Sequence, residues 1–269
     1  MEKTFAFIGA GNMGGAIIEA VCRAVDPKDV AVYDRDAEKV RALAEKTGCT
    51  AEEDELNAVA NARYVFLCVK PKIEKLAIAE ISSALRGKKV VVSIAAGTTI
   101  ASVKSMLAAN GVTLPVVRLM PNTPVAVGGG LILMAKDRSV SDEDIAVLRQ
   151  ALAPGGMVEP VDESLIDAAT PVFSCSPAYV YMFIEALADG GVMAGVPREQ
   201  AQRFAAQAVL GSAEMVLKTG KHPGALKDAV CSPGGSTIVG VETLEKAGFR
   251  GAVAAAVYDA FLKTEELGK

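Results

Sequence analysis

The sequence predicts a two-part α/β protein: a doubly wound, mostly parallel sheet over residues 1–162 and an all-α domain over residues 163–269. Three observations predict it. Short apolar runs alternate with helical patterns from Thr4 to Pro160, the order that builds a parallel sheet covered on both faces. The first run opens directly into the glycine turn Gly9-Ala10-Gly11-Asn12-Met13-Gly14. Beyond about Asp162 no strand pattern recurs, and helical segments follow one another to the end. A chain of 269 residues is long enough for two such cores.

Thr4 to Ile8 reads as the first strand, and the glycines at 9, 11 and 14 form the G-x-G-x-x-G dinucleotide fingerprint of a Rossmann-type sheet. The first glycine permits a tight turn and the second lets the backbone approach a pyrophosphate. The third lets the next helix, expected over Gly15 to Val25, pack on the strand. A second strand, Val30 to Tyr33, ends in Asp34, about 20 residues past the last glycine, the spacing of a ribose contact. Asp34 suits the ribose hydroxyls of NADH, whereas the guanidinium of Arg35 suits the 2′-phosphate of NADPH. Use of both dinucleotides is therefore expected.

Helix Ala37 to Thr47, a polar turn with the acidic residues Glu52 to Glu55, helix Leu56 to Asn61 and strand Tyr64 to Val69 come next. That strand carries Cys68 and Val69 and ends in Lys70-Pro71, where a proline stops pairing at the edge on which ligand loops gather. Helix Ile73 to Leu85 precedes strand Val90 to Ile94, which runs into Ala95-Ala96-Gly97, small enough for the backbone to pass close to a flat ring. Helix Ile100 to Asn110 leads to strand Val116 to Leu119 and the loop Met120-Pro121-Asn122-Thr123-Pro124. Strands at Leu131 to Ala135 and Met157 to Pro160, with helix Asp142 to Leu152 between them, complete the sheet.

Helices are then expected over Ser164 to Thr170, Ala178 to Ala194, Arg198 to Thr219, Pro223 to Val230, Ser236 to Ala247 and Gly251 to Leu267. Several are apolar on more than one face, as in Ala252 to Val257, and need burial on several sides, which predicts an obligate dimerisation domain. Between two of these helices lies Ser232-Pro233-Gly234-Gly235-Ser236-Thr237. Two glycines admit a ligand to the backbone, and Ser236 and Thr237 stand where a helix begins with unpaired N–H groups, a seat for a carboxylate or phosphate. Taken alone, the run reads more simply as a helix capped by Ser236 or Thr237. The dinucleotide fingerprint at the other end of the chain favours the ligand seat.

A net charge of −4 and 5% aromatic residues offer neither a basic field nor stacking surface for nucleic acid, so small molecules and other subunits are the expected partners. The five cysteines, Cys22, Cys49, Cys68, Cys175 and Cys231, form no CxxC pair, which suits reduced thiols in a cytoplasm and argues against a metal site. The apolar start of the chain turns into glycines within a dozen residues, and no apolar run reaches membrane-spanning length. His222, the one histidine, precedes Pro223 with no carboxylate or nucleophile to pair with, and is read as a helix-start residue. Cys231 is read as a small buried residue beside the loop.

Over essentially its whole length the chain resembles the pyrroline-5-carboxylate reductase family. The resemblance rests on GAGNMG from Gly9, VKP at Val69 to Pro71, SIAAG at Ser93 to Gly97, RLMPNTP at Arg118 to Pro124, SPAY at Ser176 to Tyr179 and ALADGGV at Ala186 to Val192. Above all it rests on HPGALKDAVCSPGGSTIVGVETLEKAGFRG from His222 to Gly251. It implies hydride transfer from NADPH, or NADH, to the C=N bond of 1-pyrroline-5-carboxylate, giving L-proline, by homodimers that often assemble into rings. It also implies a substrate carboxylate on Ser232, Gly234, Gly235, Ser236 and Thr237, with Thr237 near the reacting nitrogen and a further substrate contact at Glu163. The cofactor is implied along Gly9 to Gly14, Asp34, Arg35, Cys68 to Pro71 and Ala95 to Gly97, with Asn122 near the nicotinamide. Ser174-Cys175-Ser176 stands where members commonly have glycines, and Ala229 and Glu55 stand where some carry ligand-facing asparagines.

Other readings remain at this stage. A β-hydroxyacid dehydrogenase would need an interdomain Lys and Asn, and no asparagine follows Asn122. Another cyclic-imine reductase is compatible with the same residues. A non-catalytic dinucleotide-binding regulator would have no need of the loop at Ser232 to Thr237.

Overall fold

The structure is a computed structural model and describes residues 3–267. Contacts divide the chain into two compact units, one of residues up to Ser174 together with the chain end from Phe261, the other Cys175–Ala260.

The first unit is an eight-stranded sheet. Its strands are β1 (Lys3–Ile8), β2 (Val30–Tyr33), β3 (Thr50–Ala51), β4 (Ala62–Leu67), β5 (Val90–Ser93), β6 (Val116–Pro121), β7 (Gly130–Lys136) and β8 (Gly156–Pro160). They lie in the order β3-β2-β1-β4-β5-β6-β7-β8, so the direction of winding reverses between β1 and β4. All neighbours run parallel except β6 and β7, which are antiparallel. The helices of this unit are α1 (Asn12–Ala24), α2 (Ala37–Thr47), α3 (Glu55–Ala60), α4 (Pro71–Ile81), α5 (Ile100–Ala109), α6 (Asp142–Leu152) and α7 (Glu163–Thr170).

Alternation along the strands makes two cores, one per sheet face. Phe5, Phe7, Phe66, Val92 and Leu119 face α1 residues such as Ile17 and Val21 and α6 residues such as Leu148. Their sequence neighbours Ala6, Ile8, Leu67, Val91 and Met120 face Ile78 of α4, Val103 and Leu107 of α5, and Ile166 of α7. Strands apolar on both faces fit a parallel sheet covered by helices. Phe7 and Phe66 stack with ring centres 4.4 Å apart, tying β1 to β4 at the point of reversal.

Several expectations need correction. The acidic turn is preceded by β3, a two-residue strand paired to β2. Strand β4 begins and ends two residues earlier than expected, so Pro71 does not end a strand but occupies the first turn of α4, where its missing N–H costs nothing. Helix α1 starts at Asn12, inside the glycine motif. Residues 171–175, which lie between two expected helices, form a π-helical turn that runs on from α7.

The second unit holds α8 (Ser176–Met193), α9 (Arg198–Thr219), α10 (Pro223–Val230) and α11 (Ser236–Lys246), and α12 (Phe249–Leu267) begins in it. Its buried cluster consists of Ala188, Ala201 and Ala205. Met182, Met193, Phe204, Leu217, Val239 and Tyr258 are all exposed. Apolar surface on this scale marks an interaction face.

Within the first unit, helix α6 is fixed to β4 by a buried carboxylate. Asp144 accepts from Arg63 Nη2 at 2.6 Å and Tyr64 OH at 3.0 Å, the second and third residues of β4, and from Ser141 Oγ at 2.7 Å. Burial pushes this carboxyl up, but the hydrogen bonds from Ser141, Arg63 and Tyr64 more than offset it, and the group lies below the usual carboxylate range. With a folded value below the unfolded one, its contribution is present above about pH 4 and is lost as pH falls through the folded value. Asp144→Asn is expected to lower unfolding free energy at neutral pH by about 2–3 kcal/mol. It should also flatten the loss of stability below about pH 4, as read from denaturant titrations across pH.

Candidate active site

The glycine motif sits at the carboxyl ends of β1 and β4, beside the reversal point where open sheets bind ligands. Gly9 has φ +105°, and a Cβ there would lie 2.5 Å from the carbonyl oxygen of Cys68, a clash only glycine avoids. A Cβ at Gly14 would lie 2.6 Å from Gly9 O, so α1 packs directly on the turn. At Gly11 a Cβ would meet nothing within 4 Å. Gly11 is the N-cap of α1 with no side-chain cap, which leaves the first-turn amides of Asn12 and Met13 beside an open space at a positive helix end. That cradle fits a pyrophosphate.

Asp34 has a role that spacing alone did not reveal. Its Oδ2 accepts from Ala10 N at 2.7 Å and its Oδ1 from Asp36 N at 2.9 Å, so the carboxylate holds the glycine turn in shape. Each oxygen retains a lone pair for a ribose hydroxyl. Arg35 is turned to Glu80, with Nη2 at 2.8 and 3.1 Å from its two carboxylate oxygens. Beside them a pocket of about 110 Å³ is lined by Gly9, Tyr33, Asp34, Arg35, Glu55 and Glu80, among others. Burial, and then its hydrogen bond with Glu55, push the Tyr33 phenol up.

Cys68 and Val69 follow β4, and Lys70-Pro71 starts α4. Burial, then the charge of Glu74, push the Cys68 thiol upward, so it is no nucleophile. The turn Ala95-Ala96-Gly97 follows β5, with Gly97 at φ +73°. Asn122 does not offer its side chain to a ligand loop. It is buried, its Nδ2 donates to Phe173 O at 2.9 Å and its Oδ1 accepts from Leu131 N at 2.8 Å, so the amide bridges the π-helical turn and β7. Glu163 opens α7 and its Oε1 accepts from Ile100 N at 2.6 Å, beside the buried Arg118. Arg118 also donates to Asp167 at 2.6 Å.

In the second unit, Ser232 to Thr237 forms the expected turn. Gly235 N donates to Ser232 O at 3.0 Å, and Gly234 has φ +69°. A Cβ at Gly235 would lie 2.4 Å from Ser232 Oγ and 3.1 Å from Ser232 O, so a side chain there would have to turn the serine hydroxyl aside. Gly235 itself is the N-cap of α11 and has no side-chain cap, so neither Ser236 nor Thr237 caps the helix. No acidic residue stands in the first turn, and Ser232, Ser236 and Thr237 are exposed. A helix start of this kind binds anions. His222 is the N-cap of α10, its Nδ1 accepting from Gly224 N at 3.0 Å, as its position before Pro223 predicts. Cys231 is half-buried.

Sequence reasoning did not single out Glu74, Arg118 or Glu80. Arg118 stands within RLMPNTP, in a strand otherwise apolar, and that charge was the available signal. A hollow of about 670 Å³ at the other edge of the sheet is lined by Arg63, Arg86, Lys88 and Lys89 and holds none of the expected residues. Among the described residues no cluster suits a metal ion. None of the helices described is long and apolar enough to cross a membrane.

A glycine cradle at the reversal point of a Rossmann sheet, carried on the same chain as a helical unit with an uncapped helix start, is the build of an NAD(P)H-dependent oxidoreductase. Comparison with known proteins is more specific. The family described as pyrroline-5-carboxylate reductase dimerisation matches residues 163–267, and that described as NADP oxidoreductase coenzyme F420-dependent matches residues 4–97. A pyrroline-5-carboxylate reductase of Escherichia coli K12 is 44% identical over 271 residues, covering 100% of both chains. The solved structure of the Coxiella burnetii pyrroline-5-carboxylate reductase superposes with a TM-score of 0.90 at 30% identity, covering 100% of both chains. That of Plasmodium falciparum pyrroline carboxylate reductase with NADP bound gives 0.87, also at 30% identity and 100% of both chains. The chain belongs to the pyrroline-5-carboxylate reductase family.

The Arg35–Glu80 pair generates a prediction about dinucleotide choice. Glu80→Gln frees the guanidinium and removes a negative charge from the pocket. The ratio of KM for NADH to KM for NADPH should rise by about 3- to 10-fold, an effect screened by salt. Initial rates with each dinucleotide at two ionic strengths provide the check.

Proposed function

We propose that this chain reduces the C=N bond of 1-pyrroline-5-carboxylate to give L-proline, using NADPH and also accepting NADH. The observation that carries the reading is the uncapped, glycine-bounded start of α11, an anion site on a chain whose other unit has the dinucleotide cradle. Full-length likeness to pyrroline-5-carboxylate reductases supports it.

Bound along the carboxyl edge of the sheet, the reduced dinucleotide supplies the hydride. The chain's own residues position and polarise. Within the turn Gly9 to Gly14, the first-turn amides of α1 receive the pyrophosphate, and Asp34, already holding Ala10 N, accepts from the ribose. Arg35, the Cys68–Pro71 segment and Ala95 to Gly97 line the rest of the cofactor. Asn122 contributes by bracing the strands beneath it, since its amide is committed within the fold. In the second unit, the first-turn amides at Ser236 and Thr237, with Ser232, Gly234 and Gly235, hold the substrate carboxylate. The Thr237 hydroxyl is directed to the ring nitrogen, which receives the electron pair of the C=N bond as the carbon takes the hydride. An imine that arrives protonated then leaves as the amine without a further donor. Glu163 keeps one oxygen for the substrate while the other fixes α5.

The helical unit makes the protein a homo-oligomer, and its exposed apolar side chains are the surface to be covered. The proposed assembly is a homodimer, further associated into a ring of dimers. The proposed compartment is the cytoplasm, which suits five scattered cysteines. The proposed division of labour is a dinucleotide-binding part at 1–162 and a dimerisation and substrate part from 163 onward, the point at which the dimerisation family match begins.

Thr237→Ala should lower kcat/KM for 1-pyrroline-5-carboxylate by about 100-fold or more and leave the dinucleotide Kd unchanged, while Thr237→Ser retains most activity. Following the absorbance of the reduced nicotinamide tests this. Wild-type protein that binds dinucleotide yet consumes none with this imine would refute the assignment. Met182→Glu and Phe204→Glu, on the exposed apolar helices, should each reduce the assembly state seen by light scattering.

A further inference from the structure

Behind the Ala95–Gly97 turn lies a carboxylate that the reaction as described does not use. Glu74 of α4 is fully buried. Its Oε1 accepts from Ser93 Oγ at 2.5 Å, and the same Ser93 Oγ accepts from Ala95 N at 3.2 Å. The Thr98 hydroxyl, at the other end of the turn, also hydrogen-bonds Glu74. Its Oε2 is buried without a partner among the described residues, as is Nε of Arg118, whose positive charge Glu74 feels. The rest of this face of α4 is apolar, with Ala77, Ile78 and Ile81 in the core. Packing alone would be served by another apolar side chain, since an incompletely partnered buried carboxylate weakens a core.

We infer that Glu74 is a positioning residue of the reaction: through Ser93 it fixes the backbone turn at Ala95 to Gly97 on which the nicotinamide is proposed to lie. The turn is thereby held at both ends by carboxylates from different helices. Glu74 acts on Ala95 N through Ser93, and Glu163 of α7 takes Ile100 N directly at 2.6 Å. Arg118 is charged toward both. Hydride transfer is sensitive to small errors of ring placement, so a backbone turn under the ring benefits from such bracing. This inference rests on the proposed reductase function.

The test uses the full-length protein and the variants Glu74→Ala, Glu74→Gln and Ser93→Ala, with Lys89→Met as a control. Lys89 is buried far from the turn, donating to the carbonyls of Val59, Ala60 and Ala62, so its loss lowers Tm without touching the relay. Amide hydrogen exchange at Ala95, dinucleotide Kd, and kcat and KM for the imine are measured on each. Glu74→Ala and Ser93→Ala should each speed exchange at Ala95 and lower kcat by about 10-fold or more, with imine KM changed by less than about 2-fold. Glu74→Gln, whose amide oxygen still accepts from Ser93, should restore both. A Ser93→Ala or Glu74→Ala protein with wild-type Ala95 exchange, or with kcat within about 2-fold of wild type, would overturn the inference, whatever its Tm. Absence of imine turnover in the wild type would sink the reductase reading instead, and Ala95 exchange with dinucleotide Kd would still decide the role of Glu74.

Discussion

The first unit depends on one close approach, that of Gly9 to the backbone of Cys68. With a Cβ only 2.5 Å from the Cys68 carbonyl, no other residue lets the end of β1 lie against the end of β4 in this way. Gly14 repeats the constraint, bringing the start of α1 onto Gly9. Together they set the free amides of the helix start beside the reversal point of the sheet, and the stacked pair Phe7 and Phe66 supports them from within. Asp34 completes the arrangement by taking Ala10 N. The ligand cradle is thus a product of core packing, and its shape is fixed before any ligand arrives.

The two units recognise charge in different ways. In the sheet unit, loop positions are enforced by polar side chains: the half-buried Asp34 on the glycine turn, buried Glu74 through Ser93 on the turn after β5, buried Asn122 on the π-helical turn, and half-buried Glu163 with buried Arg118 at the start of α5. In the helical unit no side chain caps α11, and backbone geometry around Gly234 and Gly235 does the equivalent work. A carboxylate placed there would meet amides and hydroxyls whose partial charges do not titrate.

Much of this was legible in the sequence because apolar periodicity and glycine spacing report local geometry directly. Helices α2, α6, α9 and α10 fall on the expected residues, each closed by signals such as Asp36, Ser141 and Gly220 at its ends. The missing parts share a cause. Strand β3 is two residues long and has no period to detect, and the reversed direction of β7 leaves no trace in an apolar run. Asp34 and Asn122 lie where ligand contacts were expected, but spacing does not tell which partner a side chain chooses once the chain is folded. Nothing in the sequence sets Glu74 apart from the other charges of α4, since only the packing of α4 shows that it faces inward. The loop from Ser232 to Thr237 was visible because paired glycines mark a turn, and Gly234 has the left-handed φ of +69° that favours glycine.

The thin interior of the helical unit, little more than Ala188, Ala201 and Ala205, bears on how the protein behaves in a population of copies. A fold completed by a second chain gains stability from its own concentration, so scarce or newly made chains expose apolar helices that invite chaperones and proteases. It also sorts lesions by their place in the chain. A copy whose defect lies in its sheet half would still present intact helices and enter mixed assemblies, whereas damage to the helices themselves would keep out only the chain that carries it.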